Sequence, residues 1–531
     1  MPPTLEQTEI REAASRLDDG DVLRVLAFAG AGKTTTLKGI AHARPDTGLY
    51  LAFNKPIANE ANQKFRDTRC TARTMHSLAW RATGMTNEQS MRLNAKAVQH
   101  LIDMGRFHWP RLKRWNAYRC AAAVSRTVDI FCASADPQLT DDHAQQALVL
   151  TCGDPAMIRD PRRAGIVRNT IASLLPSIAA AAQRVWDTMV TERQFSHDAY
   201  LKILDLSPTV RNRAFAGVGY VLVDESQDLN PVQRSILVKS GLPLVAVGDP
   251  YQQIYSFRGA ENALSRLPGR ELYLTASFRF GEGIADQARK ILASRPDGGP
   301  SQRLVGARPD GPMKRTAPRS ALLARSNAEL LRAGINYAKK EIKISFLGGI
   351  EEVRRDAQSA QALHDGDLEA VRSPELASFD SWDELLMEAE AGNSTMARLQ
   401  KLVEEGMPQH LDRLAAYEVP PQRAQIVLST AHKAKGCEWP QVILANDWRS
   451  LPELQERHKK ATTESPAAVT AALEEWNLLY VAATRAIGRT DRLERILSPS
   501  DAAPTNRPAR SCRRHSRKDA DRSAAPSFET I

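Results

Sequence analysis

Short apolar runs of strand length recur along the chain, each followed by a turn and then by apolar positions at helical spacing. The clearest fall at 22–28, 49–53, 220–223, 244–247, 321–324, 426–428 and 442–444. The strand–turn–helix repetition predicts parallel sheets. The runs form two groups, one before residue 280 and one after residue 320, so two sheets with separate cores are expected.

Two long stretches interrupt this pattern. Residues 85–198 are helical in character with few strand signals, and 351–424 are acidic and rich in Glu, Leu and Ala. Both read as helical insertions on the sheet domains. The expected fold class is α/β, with two parallel-sheet domains. The first comprises 1–84 and 199–280, interrupted by the insertion 85–198; the second comprises 281–350 and 425–498, interrupted by 351–424. The tail 499–531 is rich in Pro, Ser, Ala and Arg and is expected to be disordered.

A chain of 531 residues exceeds a single core, and at about 150 residues per domain it suggests roughly three or four units. Lys and Arg number 72 against 62 Asp and Glu, a net charge of +10, which favours a polyanionic partner. The cysteines (Cys70, Cys120, Cys132, Cys152, Cys437 and Cys512) contain no C-x-x-C pair. That argues against zinc or iron–sulfur sites and for a reducing compartment. The start, MPPTLEQTEI, lacks a signal pattern, and no long uninterrupted apolar run stands out, so a cytoplasmic protein without a membrane segment is expected.

The first strand run leads into AFAGAGKTT at 27–35. This is close to the phosphate-binding pattern G-x-x-x-x-G-K-[ST], with Ala27 at the first glycine and an additional glycine at Gly30. Close backbone approach to a phosphate depends more on Gly30 and Gly32 than on position 27. The loop Ala29, Gly30, Ala31, Gly32, Lys33, Thr34 and Thr35 would supply backbone N–H groups and a helix N-terminus to a triphosphate. Lys33 would reach the β/γ-phosphates and the Thr34 hydroxyl would ligate Mg²⁺. The run YVLVDESQD at 220–228 delivers Asp224 and Glu225 to the C-terminal edge of its strand, where α/β sites lie. Asp224 suits Mg²⁺, and Glu225 suits polarising an attacking water. ATP and Mg²⁺ are the expected ligands.

With those two motifs the sequence resembles the UvrD/Rep family of superfamily 1 DNA helicases. Its motif wording is most like that of the F-box DNA helicase branch, without an evident F-box region. The resemblance implies two RecA-like P-loop domains and carries further residues. In VGDPYQQIYSFRGA (247–260) it puts Gln252 on the γ-phosphate and Tyr255, Phe257 and Arg258 on single-stranded DNA. In LTASFR (274–279) it puts Arg279 on the γ-phosphate. In STAHKAKGCEW (429–439) Glu438 would meet the ribose, and Thr430 and His432 the DNA. EEWNLLYVAATRA (474–486) carries Arg485 as arginine finger. Phe53 and Asn54 in LAFNKPIANEA, and Thr74 and His76 in TMHSLAW, would be DNA contacts, and Gln7 would read adenine. The 351–424 insertion is smaller than the corresponding one in the larger family members, so it is expected to be a reduced counterpart of their 2B subdomain.

The expected function is an ATP-dependent DNA helicase or translocase, 3′→5′ by resemblance, acting as a monomer on single strands and single-strand/duplex junctions in repair or recombination. An alternative from another class is a DNA-dependent ATPase switch controlling a partner nuclease without unwinding. A nucleotide kinase or GTPase leaves DESQD and GDPYQQIYSFRGA without a role. The basic–aromatic segment at 106–119, with Trp109, Arg111, Lys113, Arg114 and Trp115, is either more DNA surface or a helical face whose tryptophans are core. The cluster Arg513, Arg514, Arg517 and Lys518 either holds duplex or keeps the tail soluble.

Overall fold

The computed structural model describes residues 2–90, 115, 117–153, 161–255, 262–309, 320–373, 375–377, 379–390 and 394–497. The first sheet contains β1 (Val22–Ala27), β2 (Gly48–Ala52), β3 (Cys70–Thr74), β4 (Tyr220–Val223), β5 (Leu244–Gly248) and β6 (Arg270–Leu274). Its order is β3-β2-β4-β5-β1-β6, and every neighbouring pair is parallel. A two-stranded ladder of β7 (Ala276–Ser277) and β8 (Val305–Gly306) follows. The second sheet contains β9 (Ser320–Ala324), β10 (Ile344–Phe346), β11 (Ile426–Thr430), β12 (Trp439–Leu444) and β13 (Ala486–Asp491), in the parallel order β10-β11-β9-β12-β13.

Burial explains which strands the hydrophobic pattern reveals. Every residue of β4, β5 and β11 is buried, as expected of strands covered on both faces by helices. The strands that the pattern does not reveal include β3, β6 and β13, which end their sheets and expose alternate or terminal residues.

Helices Ala117–Ala133, Asp141–Cys152 and Pro161–Glu192 share one core with the first sheet. Val124, Phe131, Leu174, Ile178 and Trp186 pack in the same cluster as Leu49, Leu51, Val221 and Val223. The last of these helices is 32 residues long, with Arg162, Arg163, Arg168, Pro176, Arg184 and Asp187 interrupting its apolar positions. By length and composition its Pro161–Thr191 stretch could cross a membrane. Its buried positions, among them Ile171, Leu174, Ile178, Ala182, Val185 and Met189, contribute to this core. Helices Glu351–His364, Trp382–Glu390, Ser394–Glu404 and Leu411–Tyr417 pack on the second sheet in a cluster that joins Ala357, Leu399 and Leu414 to Leu322, Phe346 and Leu428.

A further core spans both sheets. Phe28, Ala29 and Ile254 from the first pack with Phe280, Trp439, Trp476 and Tyr480 around the second. The two sheets are thereby held with the C-terminal end of β1 facing helix Pro466–Ala483.

Candidate nucleotide site and nucleic-acid face

β1 ends at Ala27, whose side chain is fully buried in the core beneath the sheet. The chain then turns through Gly30 (φ +76°) and Gly32 (φ +77°) into helix Lys33–Ala43, with Gly32 as its N-cap. Both glycines adopt left-handed backbone that other residues rarely take. A Cβ on Gly30 would also stand 2.6 Å from both the Arg279 Cβ and the Ser277 Oγ. Position 27 lies in regular strand and has no such requirement, which accounts for the alanine. The first turn of the helix leaves backbone N–H groups free of intrahelical partners, the ordinary cradle for a phosphate. Thr34 is half-buried there and Thr35 exposed. Gln7 closes one side, its Nε2 lying 3.1 Å from where a Gly32 Cβ would be while its Oε1 accepts from the Thr4 amide at 3.0 Å. Glu6 accepts from the Thr275 amide and hydroxyl, tying helix Leu5–Ser15 to the end of β6.

β4 carries the two carboxylates to the same edge. Asp224 accepts from the Tyr50 hydroxyl (2.6 Å) and from the Glu225 amide (2.9 Å). Glu225 sits at φ +53°, uncommon for a residue with a side chain, and its carboxylate accepts from Lys33 Nζ (2.7 Å) and Gln227 Nε2 (2.6 Å). Burial raises the pKa of Asp224 despite the opposing Lys33 charge. For Glu225 the same burial is outweighed by Lys33 and Lys435, which hold it well below the usual carboxylate range. Burial would lower the pKa of Lys33, but Glu225 and Asp224 overcome it, so the lysine is a firm cation. Thr34 and Asp224 offer only oxygen donors, which suits Mg²⁺, a cation that typically keeps few protein ligands and completes its shell with phosphates and water. Among the described residues no group of three His, Cys, Asp or Glu is arranged to hold a metal.

Three segments close the cleft. Arg485 is fully buried; its Nε donates to Val481 O (3.0 Å), and its Nη2 to Gln252 Oε1 and Thr484 Oγ1 (both 3.2 Å). Burial and then the nearby Arg279 charge pull its pKa down to about 9, so it stays protonated at neutral pH. Gln252 donates to Asp249 Oδ2 (2.7 Å), which also accepts from the Tyr480 hydroxyl (3.1 Å). That hydroxyl in turn accepts from the Ala29 amide of the phosphate loop at 3.2 Å. Arg279 donates to Glu438 Oε2 (2.9 Å) and Thr484 O (3.2 Å), so these two expected ligand contacts face each other.

On the adjoining face Phe53, 42% exposed, stacks on Tyr255 with ring centres 5.6 Å apart and planes 15° apart. The Tyr255 hydroxyl donates to His432 O (3.2 Å) across the two domains. Asn54 lies just after β2, while Thr74 and Thr430 end β3 and β11, and each caps a helix by accepting from Ile57, Ser77 or Lys433 backbone N–H respectively. His76 pairs with Asp198 at 3.1 Å and stacks on His197 at 4.2 Å. Phe257 and Arg258 lie outside the described residues, as do Trp109, Arg111, Lys113, Arg114 and the tail 499–531. Trp115 packs against the first core.

Sequence reasoning did not single out Tyr50, Asp228, Asp249, Lys435 or Tyr480. All but Tyr50 lie inside the motifs quoted above. A buried polar atom within an apolar stretch, as at Tyr480, was the available signal.

One parallel sheet carries a strand, a glycine-bearing loop and a helix, and the second presents Arg485 to Gln252 of the first, which together give a two-domain RecA-like architecture. Residues 178–266 match the UvrD/REP helicase N-terminal domain and residues 273–489 the UvrD-like helicase C-terminal domain, so this chain belongs to the UvrD-like helicase family. It is 28% identical over 505 residues to F-box DNA helicase 1 of Gallus gallus, covering 89% of this chain and 47% of that protein. It is likewise 28% identical over 538 residues to F-box DNA helicase protein 1 of Schizosaccharomyces pombe, covering 91% and 56%. To ATP-dependent DNA helicase UvrD2 of Mycobacterium tuberculosis it is 25% identical over 566 residues, 87% and 75%. The chain spans about half the length of the F-box helicases it matches.

Proposed function

We propose that the chain is an ATP-dependent DNA helicase or translocase that moves 3′→5′ along single strands and unwinds duplex or displaces bound proteins. The observation that supports this reading most is the Arg485–Gln252 contact, an arginine beside the second sheet bonded to a glutamine beside the first. Lys33, Arg279 and Arg485 would together offset the charge of the transferring phosphoryl group, and Glu225 would orient the attacking water. Mg²⁺, held by Thr34 and Asp224, would neutralise phosphate charge. Gln7 and Glu438 would hold the adenine and ribose ends.

Hydrolysis would loosen a cleft whose walls belong to different domains, and so become relative motion of the sheets. On the adjoining face, Phe53 and Tyr255 offer ring faces for unpaired bases. The helix N-termini capped by Asn54, Thr74 and Thr430 offer N–H groups for phosphates, with His76 and His432 beside them. Phe257 and Arg258 would extend this track. We assign 1–84 with 199–280 to the first motor domain and 281–350 with 425–498 to the second, with 85–198 and 351–424 as helical insertions. Polarity, a monomeric state and single-strand/duplex junctions as substrate rest on the family resemblance. The cysteine usage, with no C-x-x-C pair, favours a reducing cytoplasm.

The test compares ATP turnover with single-stranded DNA, RNA and duplex, then strand displacement on 3′-tailed and 5′-tailed duplexes. DNA-stimulated turnover with displacement of the 3′-tailed substrate is expected. Strong stimulation without displacement or translocation would move the chain to the class of DNA-dependent switches.

A further inference from the structure

Lys435 follows β11 in the second domain, yet its ammonium is buried among groups of the first. It donates to the Asp228 carboxylate and, at 2.7 Å, to the backbone carbonyl of Gln252, and it stands 5.2 Å from the centre of the Tyr255 ring. The side chains of Lys435 and Asp228 are 8% and 1% exposed. Asp228 leads to the catalytic carboxylate, because Gln227 Nε2 lies 3.4 Å from Asp228 Oδ2 and 2.6 Å from Glu225 Oε2. The other end of the Gln227 amide is fixed by the Asp249 N–H at 3.0 Å. A short chain of contacts therefore runs from Glu225 through Gln227, Asp228 and Lys435 to Tyr255, and on to its stacking partner Phe53.

The geometry points to Lys435 as a positioning residue that couples occupancy of the Phe53–Tyr255 platform to the orientation of Glu225. This rests on the reading of the chain as a DNA-stimulated ATPase. A buried ion pair resists separation, since either charge left alone inside the protein is costly. Lys435 and Asp228 therefore move together or hold the domains together. A base stacking on Tyr255 shifts the ring over Lys435, and a displaced Lys435 alters what Asp228 and Gln227 offer to Glu225. The Gln252 carbonyl, bonded to the same ammonium, carries the displacement to the residue facing Arg485.

The experiment uses the full chain with Lys435→Met, Lys435→Arg and Asp228→Asn. Wild type is measured first, with and without a saturating oligothymidine, because an ATPase indifferent to DNA would remove the functional reading itself. Given a responsive wild type, Lys435→Met and Asp228→Asn should each reduce the ratio of DNA-stimulated to basal kcat by at least about fivefold, the lower range of site-to-site coupling. The ATP KM and the oligothymidine Kd should stay within about threefold, because neither ligand is touched directly. Lys435→Arg should restore part of the stimulation, and Lys435→Met/Asp228→Asn should be no worse than the poorer single variant. Thermal unfolding separates misfolding from uncoupling; if Lys435→Met does not fold, Lys435→Arg and Asp228→Asn decide. Unchanged stimulation in the folded variants, or a loss accounted for by weaker DNA binding, would overturn the assignment and leave the functional reading intact.

Discussion

Arg485 and Gln252 meet across the cleft between the two sheets, Nη2 donating to Oε1 at 3.2 Å in a fully buried setting. In the proposed reading this contact makes ATP hydrolysis depend on the second domain. Arg485→Ala should therefore lower ATP turnover by about a thousandfold or more, the scale of an arginine finger, while largely sparing nucleotide binding. Single-turnover hydrolysis alongside fluorescent-nucleotide titration separates the two effects. Comparable turnover in the variant would mean that Arg485 serves only the packing of its helix with Val481 and Thr484.

Glu225 is held by Lys33 and Gln227, and its low pKa keeps it ionised, as an acceptor that orients water. Glu225→Gln keeps the side chain's size and removes its charge and one acceptor oxygen. ATP hydrolysis should fall by roughly a hundredfold or more, the usual worth of a positioned acid–base group, while ATP and DNA remain bound. Filter retention of the ATP complex checks this; fast turnover would show that another residue positions the water.

The parts of this site that were legible beforehand were those whose local chemistry suffices. Gly30, Gly32 and Lys33 declare a phosphate loop within a few residues, and the fully apolar β4 declares the strand that presents Asp224 and Glu225. The edge strands were harder: CTART in β3 and RELYL in β6 have one neighbour each and tolerate charge, so they carry no apolar run. Tyr480 reads as core in a helix of Leu, Val and Ala. Its hydroxyl acquires meaning only when folding places it between Ala29 and Asp249. Asn54, Thr74 and Thr430 matched DNA-contact positions in motif wording, and their side chains cap helices, a local role the wording did not reveal.

Exposed Phe53 stacks on half-buried Tyr255 at the proposed nucleic-acid face. Stacking contributes about 1–3 kcal/mol per base, so Phe53→Ala should weaken oligothymidine binding by roughly five- to a hundredfold. The salt dependence should change little, because no phosphate contact is removed. Fluorescence anisotropy over a salt series tests both statements, and an unaltered Kd would exclude Phe53 from the binding track.

The alanine in the phosphate loop yields a paired prediction. Ala27 packs its methyl in the core, so Ala27→Gly should cost on the order of 1 kcal/mol of stability and leave ATP turnover nearly intact. Gly30→Ala imposes a strained φ and pushes a methyl into Arg279 and Ser277, so nucleotide binding should drop sharply. ATP affinity and urea unfolding of the two variants suffice. Equal nucleotide affinities would mean that the loop does not require the glycine.

Lys202 supplies a test of pH dependence away from the cleft. Its ammonium is buried where helix Ala199–Leu206 meets the end of helix Ala117–Ala133, donating to Ser134 O (2.8 Å) and Asp136 O (2.6 Å) and lying 4.3 Å from the Phe131 ring centre. Burial pulls its pKa from 10.5 down to about 8, against the opposing charge of Asp205. Between those two values the unfolded chain binds a proton that the folded chain does not, so this group makes stability rise with pH across that window. Below about pH 8 the lysine is charged in both states, and its unfavourable contribution is constant. Lys202→Met removes the titrating group. The unfolding free energy of wild type relative to Lys202→Met should therefore shift in favour of wild type as the pH is raised from 8 towards 10.5. Urea midpoints and slopes measured for both proteins across that range decide the matter. A difference that stays flat or declines would mean that Lys202 keeps its ordinary affinity for the proton despite its burial.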